Sequence, residues 1–174
     1  SRRRFLAAAV AGSVVAACGP GDGSGGGQGA VVPHEIEAGT SCVLDGMLLN
    51  EYPGPKAQVH YAGIERPDWF CDTVEMFNLY LNPEQVRPIT GMFVQDMGKT
   101  PWDKPEGNWI DARSAFYVSG SKKLGSMGPT LASFALEADA QAFAKEWGGE
   151  VLPFSGIDAD MVVLDGGALH DQSM

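Results

Sequence analysis

Lys56-Ala57-Gln58-Val59-His60-Tyr61-Ala62, then Asp68-Trp69-Phe70-Cys71 running into 72–81, then 89–95, is the stretch whose reading decides the fold. Gln58-Val59-His60-Tyr61 alternates polar and apolar residues, as a half-buried strand does. Asp68-Trp69-Phe70-Cys71 reads as a short apolar lead into a helix. Asp72 or Thr73 can cap that helix, and Val74, Phe77 and Leu81 recur on one helical face. Asn82-Pro83 ends it, and 89–95 is a further strand. Upstream, 42–50 reads as another extended segment, set off by the turn Tyr52-Pro53-Gly54-Pro55.

The plan recurs downstream. Residues 114–119 are aromatic and β-branched, and 131–134 is a second short strand. Glu137–Trp147 is an Ala-rich amphipathic helix with Ala140, Phe143 and Trp147 on one side, closed by Gly148-Gly149. Val151-Leu152-Pro153-Phe154 is the closing strand. Each half therefore reads ββαβ, which predicts an α+β fold of two related units, each a small sheet covered by one helix.

Outside this body the sequence changes character. Ser1-Arg2-Arg3-Arg4-Phe5-Leu6, an Ala/Val-rich run and Val15-Ala16-Ala17-Cys18 have the layout of an export signal. The first part resembles a twin-arginine signal and the last a bacterial lipobox, in which Cys18 takes the lipid. The alternative is an ordinary signal peptide with a chance cysteine. The apolar run falls well short of the ~20 residues that span a bilayer, so a retained transmembrane helix is not expected. The chain starts at Ser1, and a few residues are expected before it. A glycine-rich tether follows Cys18. The expected division is 1–17 as leader, 18–31 as lipidated Cys18 and tether, 32–100 and 101–158 as the two ββαβ-like halves, and 159–174 as an acidic tail.

The net charge is −10, and the leader carries three arginines and no acids, so the rest is more acidic still. Nucleic-acid binding depends on Lys and Arg neutralising phosphates and is not expected. With 44% hydrophobic and 20% charged residues, the chain can bury a sizeable core.

No GxSxG, P-loop, GxGxxG, HExxH or CxxC pattern is present. The three histidines, His34, His60 and His170, are scattered. What stands out is sulfur. Cys42-Val43-Leu44-Asp45-Gly46-Met47 sets a thiol and a thioether either side of a glycine that lets the backbone bend. Gly125-Ser126-Met127-Gly128-Pro129 presents a second methionine between glycines, displayed on a loop rather than packed in an apolar run as Met92 is. Thiolate with thioether favours Cu(I) over harder ions. The alternative is that Met47 and Met127 are flexible core fillers. Cys42 and Cys71 could instead pair as a disulfide in an oxidising compartment.

These residues sit in a longer series: Cys42-Val43-Leu44-Asp45-Gly46-Met47, Trp69-Phe70-Cys71, Glu75-Met76-Phe77, Trp109-Ile110-Asp111-Ala112, Tyr117-Val118-Ser119-Gly120-Ser121 and Gly125-Ser126-Met127-Gly128. It continues from Phe134-Ala135 through Ala142-Phe143-Ala144 to Gly148-Gly149. The series resembles the NosL family, the copper-binding accessory lipoproteins of nitrous oxide reductase maturation, within the wider NosL/MerB-like group. The resemblance implies a pair of ββαβ-like units and no enzymatic activity. It implies a lipid-anchored periplasmic protein that binds Cu(I) and delivers it to nitrous oxide reductase, with copper passing through a membrane transporter complex of the same pathway. It assigns Cys42, Met47 and Met127 as ligands. Many relatives carry a Cys-Gly-Met triplet. Here Asp45 precedes the glycine and the thiol is Cys42, which fits a Cys–Met–Met site. Cys71, Met76 and His60 rank lower as ligands, Cys71 reading as a small buried apolar residue. Met97, Trp102 and Trp109 are expected to pack or to line a partner surface. The rival functions are an organometal-cleaving or thiol-redox enzyme of the MerB-like group, and a structural assembly lipoprotein without metal.

Overall fold

The computed structural model describes residues 30–82 and 84–164. The leader with Cys18, the tether up to residue 29, and residues 165–174 lie outside the described residues. Among the described residues, no helix is long and apolar enough to cross a membrane.

The body is α+β, and its two units share one topology. In the first, β1 (Ala57–Tyr61) and β2 (Asp68–Phe70) precede α1 (Thr73–Leu81), which leads to β3 (Ile89–Gln95). β1 lies between β2 and β3, antiparallel to both. β4 (Trp109–Asp111) adds to the far edge of β3, also antiparallel. In the second unit, β5 (Phe116–Ser119) and β6 (Ala132–Phe134) precede α2 (Glu137–Trp147) and β7 (Glu150–Pro153). β5 is central there, as β1 is in the first sheet. In each unit the helix carries the chain over the central strand, so its apolar face has a sheet to cover.

Local chemistry sets the helix ends. The Asp72 carboxylate accepts from the Val74 amide at the start of α1. Gly148, at φ +78°, closes α2 in the left-handed region, where a side chain would be strained.

Four segments depart from the sequence reading. The lead 68–70 is a strand, because its backbone pairs with Ala57, Gln58 and Val59. Residues 42–50 form a turn closed by an isolated bridge between Ser41 and Leu48, followed by one 3-10 turn at Leu49–Glu51. Trp109–Asp111 is a strand of the first sheet, a pairing set by β3 and invisible in three residues of sequence. Ala159–Val162 is a 3-10 turn whose Val162 is buried, and its carbonyl accepts from the Asn78 amide of α1.

β1 is buried on both faces, not one. Ala57, Val59 and Tyr61 face the main core. On the other face, the Gln58 amide accepts from the His34 N–H at 2.8 Å and donates to the His34 carbonyl at 2.9 Å. The side-chain amide thus pairs with a passing backbone segment much as a strand would, which satisfies the oxygen and nitrogen of the buried Gln58 side chain.

The main core joins the units. Phe77 of α1 packs edge-to-face on Tyr117 of β5, with ring centroids 4.9 Å apart. Met76, Met92, Val94, Leu131 and Val162 complete it. A smaller cluster lies under α2, where Val118, Ala132, Phe134 and Ala140 are covered by Met97, Trp102 and Phe143. The sheets meet where the Met97 amide donates to the Ser133 carbonyl and the Ser133 hydroxyl to the Gln95 carbonyl.

Candidate metal centre

A third cluster consists of buried Cys42, Leu49 and Cys71, with Ile36, Met47, Trp69 and Met127 packed against it. Three loops supply its sulfur. The first is the turn 42–47. The Cys42 amide donates to the Met47 carbonyl at 2.8 Å, and the Gly46 amide to the Cys42 carbonyl at 3.0 Å. Gly46 takes φ +76°, and Asp45 Oδ1 accepts from the Met47 amide at 2.9 Å. Cys42 and Met47 are thereby held side by side.

The second supplier is the junction of β2 and α1. Cys71 is fully buried just before the cap residue Asp72. One turn into the helix, Glu75 folds back so that its Oε2 accepts from the Cys71 amide at 3.1 Å. This is the reciprocal half of a capping box, with the bond shifted by one residue.

The third is the hairpin Gly125-Ser126-Met127-Gly128. It is a tight turn, in which the Gly125 amide donates to the Gly128 carbonyl at 2.7 Å. Met127 at its tip is half-buried against the cluster rather than displayed to solvent. Its side chain packs against the cluster of Cys42, Leu49 and Cys71.

The resulting geometry is a sulfur and carboxylate nest. Cys42 Sγ and Cys71 Sγ lie 3.2 Å and 3.3 Å from Glu75 Oε2. Cys71 Sγ lies 3.7 Å from Asp45 Oδ2 and 4.0 Å from Met47 Sδ. Ligand atoms of Cys42, Asp45, Cys71 and Glu75 all fall within 4.8 Å of one another, a spacing that can hold a metal ion. Both cysteines are free thiols, and no Cys42–Cys71 disulfide is formed.

The thiols are electrostatically unlike. A hydrogen bond from Cys71, opposed by burial and helped by the backbone amides of Asp45, Cys71 and Leu44, holds the Cys42 thiol at about 6 against an ordinary 9.0. Cys71 is pushed strongly up, because it gives that bond to Cys42 and is desolvated beside Glu75. Burial and the nearby Cys42 thiolate push Glu75 up to about 8. Cys42 is thus the more acidic thiol of the nest, while Cys71 and Glu75 hold their protons more tightly than usual. A soft ion entering the nest meets its most available thiolate at Cys42.

Met76 is fully buried in the main core, not in the nest. His60 packs edge-on to His34 and Phe93 on β1, where burial and then His34 lower its basicity. Neither joins the sulfur cluster. Trp109 tilts against Trp69, and Met97 and Trp102 pack under α2. Glu75 was not singled out as a site residue from the sequence. Its signal was the pattern Asp72-Thr73-Val74-Glu75, a helix-start box whose acid turns back toward Cys71.

A repeated ββαβ body that carries two thiols and two thioethers around a carboxylate has the make-up of a soft-metal-binding protein. Residues 33–162 match the model of the NosL family. The chain is 39% identical over 152 residues to the copper-binding lipoprotein NosL of Stutzerimonas stutzeri, covering 84% of this chain and 78% of that one. It is 36% identical over 167 residues to the copper-binding lipoprotein NosL of Achromobacter cycloclastes, covering 94% and 84%. The crystal structure of the copper chaperone NosL from Shewanella denitrificans is similar, with TM-score 0.71 and 37% identity over 74% of this chain and 97% of that one. The chain belongs to the NosL family.

Proposed function

We propose that this protein is a lipid-anchored periplasmic Cu(I) chaperone, not an enzyme, that delivers copper for the maturation of nitrous oxide reductase. The observation that carries the reading is that both thiols, Cys42 and Cys71, meet at Glu75 Oε2 while Met47 and Met127, from separate loops, pack against the same cluster. Thiolate and thioether together are a Cu(I) ligand set, and Cu(I) accepts the low coordination numbers that make release fast. Cys42 is the thiolate anchor, with Met47 and Met127 as thioether ligands. Cys71 stands close enough to serve as a second thiol, which raises it above the rank its sequence context suggested. Beside the buried thiols, Val43 and Leu44 of the same turn are exposed and form an apolar rim for a receiving protein. Copper arrives from, or passes through, a membrane transporter complex of the same pathway. The relatives named above are copper-binding lipoproteins and a copper chaperone, which supports the assignment.

The test has two parts. Apo protein titrated with Cu(I) against a competing chelator is expected to bind one ion tightly. Copper-loaded protein mixed with apo nitrous oxide reductase is expected to pass copper to it faster than free chelated Cu(I) does. Tight binding without transfer would remove the delivery role, and no competitive binding would leave a structural lipoprotein.

A further inference from the structure

Lys56 is fully buried, although lysine is almost never buried without a partner. Its ammonium donates to the Pro53 carbonyl at 2.9 Å and to Ser126 Oγ at 2.6 Å. The Ser126 hydroxyl in turn lies 2.6 Å from the Cys71 carbonyl and 3.0 Å from that of Pro53. It has a single proton, and the shorter contact directs it to Cys71 while the oxygen accepts from Lys56. Lys56 and Cys71 belong to the first unit and Ser126 to the second, so this chain of bonds crosses the join between them. Burial brings Lys56 down to about 8, opposed first by the charge of Asp72.

Ser126 immediately precedes Met127 in the hairpin. Gly125 and Gly128 frame that hairpin and leave it intrinsically loose, since glycine backbones lose the most freedom on ordering. Two further contacts seat its base. The Trp102 indole donates to the Leu124 carbonyl at 2.9 Å, and Gly54 approaches Gly125 so closely that a Cβ at Gly54 would sit 2.7 Å from Gly125 Cα. Neither reaches the tip. Among the described residues, the one side-chain hydrogen bond that ties the tip to the thiol-bearing segment is Ser126 to Cys71.

We infer that Lys56 and Ser126 are positioning residues, a buried ammonium–hydroxyl latch that fastens the Met127 hairpin to the Cys71 carbonyl and so sets the thioether against the thiols. The inference rests on the proposed ligation by Met127. Without the latch the hairpin must be ordered anew each time copper binds, and the thioether contributes less to affinity.

The experiment compares the full chain, Ser126→Ala, Met127→Leu and the double variant in Cu(I) titrations against a competing chelator. Sulfur scattering around copper is read by X-ray absorption. Ser126→Ala is expected to weaken Cu(I) roughly tenfold, a magnitude typical of one lost charge-assisted hydrogen bond. Met127→Leu is expected to weaken it at least as much, and the double variant no further than Met127→Leu alone. Copper in Ser126→Ala is expected to show one fewer sulfur neighbour. Equal losses from Ser126→Ala with Met127 present and absent would overturn the latch, and so would unchanged affinity in Ser126→Ala when Met127→Leu binds weakly. Full affinity in Met127→Leu would overturn the ligand reading and the latch with it. Lys56→Gln, checked for a cooperative melt, is read in the same cycle as a second variant.

Discussion

The thioether sulfur of Met47 sits 4.0 Å from the thiol sulfur of Cys71. Met47 comes from a glycine turn before the first strand and Cys71 from the strand-to-helix junction, and neither is near the other in sequence. The distance is too long for a covalent bond and short enough for the two sulfurs to share one ion. Both thiols should therefore matter for copper. Cys42→Ser and Cys71→Ser are each expected to weaken Cu(I) by at least about a hundredfold, since each removes a soft ligand from a buried site. Chelator competition measures this. Loss confined to Cys42→Ser would return Cys71 to a packing role.

The shifted acidities give a signed pH dependence. Cys42 titrates at about 6 in the folded protein, so it offers a thiolate down to that pH. Below it, protons compete with Cu(I), and apparent affinity is expected to fall by about a decade per pH unit. Thiolate absorbance of the apo protein, followed from pH 4 to 10, is expected to rise near 6, because Cys71 is pushed strongly up and keeps its proton over that range. A midpoint near 9 would contradict the arrangement. Stability is a less direct readout, because two groups oppose each other. The depressed Cys42 contributes stability that is present above its unfolded value of 9.0 and lost as pH falls through about 6. The raised Glu75 contributes stability that is present below 4.5 and lost as pH rises through about 8.

Because Phe77 of the first unit packs on Tyr117 of the second, the two units should melt together. Phe77→Ala is expected to cost roughly 3–5 kcal/mol by opening a cavity in the shared core. Tyr117→Phe is expected to cost about 1–2 kcal/mol, since the buried hydroxyl gives up its 2.6 Å bond to the Ala112 carbonyl. Calorimetry should show one transition for each variant. Two separated transitions would mean that the units fold independently.

Cys18 lies in the lipobox-like segment ahead of a glycine-rich stretch with few apolar side chains. Cys18→Ser is expected to move the protein from the membrane to the soluble fraction with an unchanged melting temperature. Fractionation and a thermal scan of the released protein check both halves. Wild-type protein that fractionates as soluble in its own type of host would remove the anchor.

Much of this molecule is written locally. Glu137–Trp147 follows from periodicity and end signals held within the segment, so reading it needs no partner. The sulfur of Cys42, Met47 and Met127 announces a soft-metal chemistry for the same reason, because ligand softness is a property of the atom. Tertiary structure alone decided three things. It made strands of 68–70 and 109–111, since three residues acquire strand character only from the neighbour they pair with. It packed Met127 against the cluster of Cys42, Leu49 and Cys71, residues distant from it in sequence. And it raised Cys71 and Glu75 into the site, because the convergence of three loops depends on how two sheets pack, a long-range arrangement on which no single stretch of the chain carries a signal.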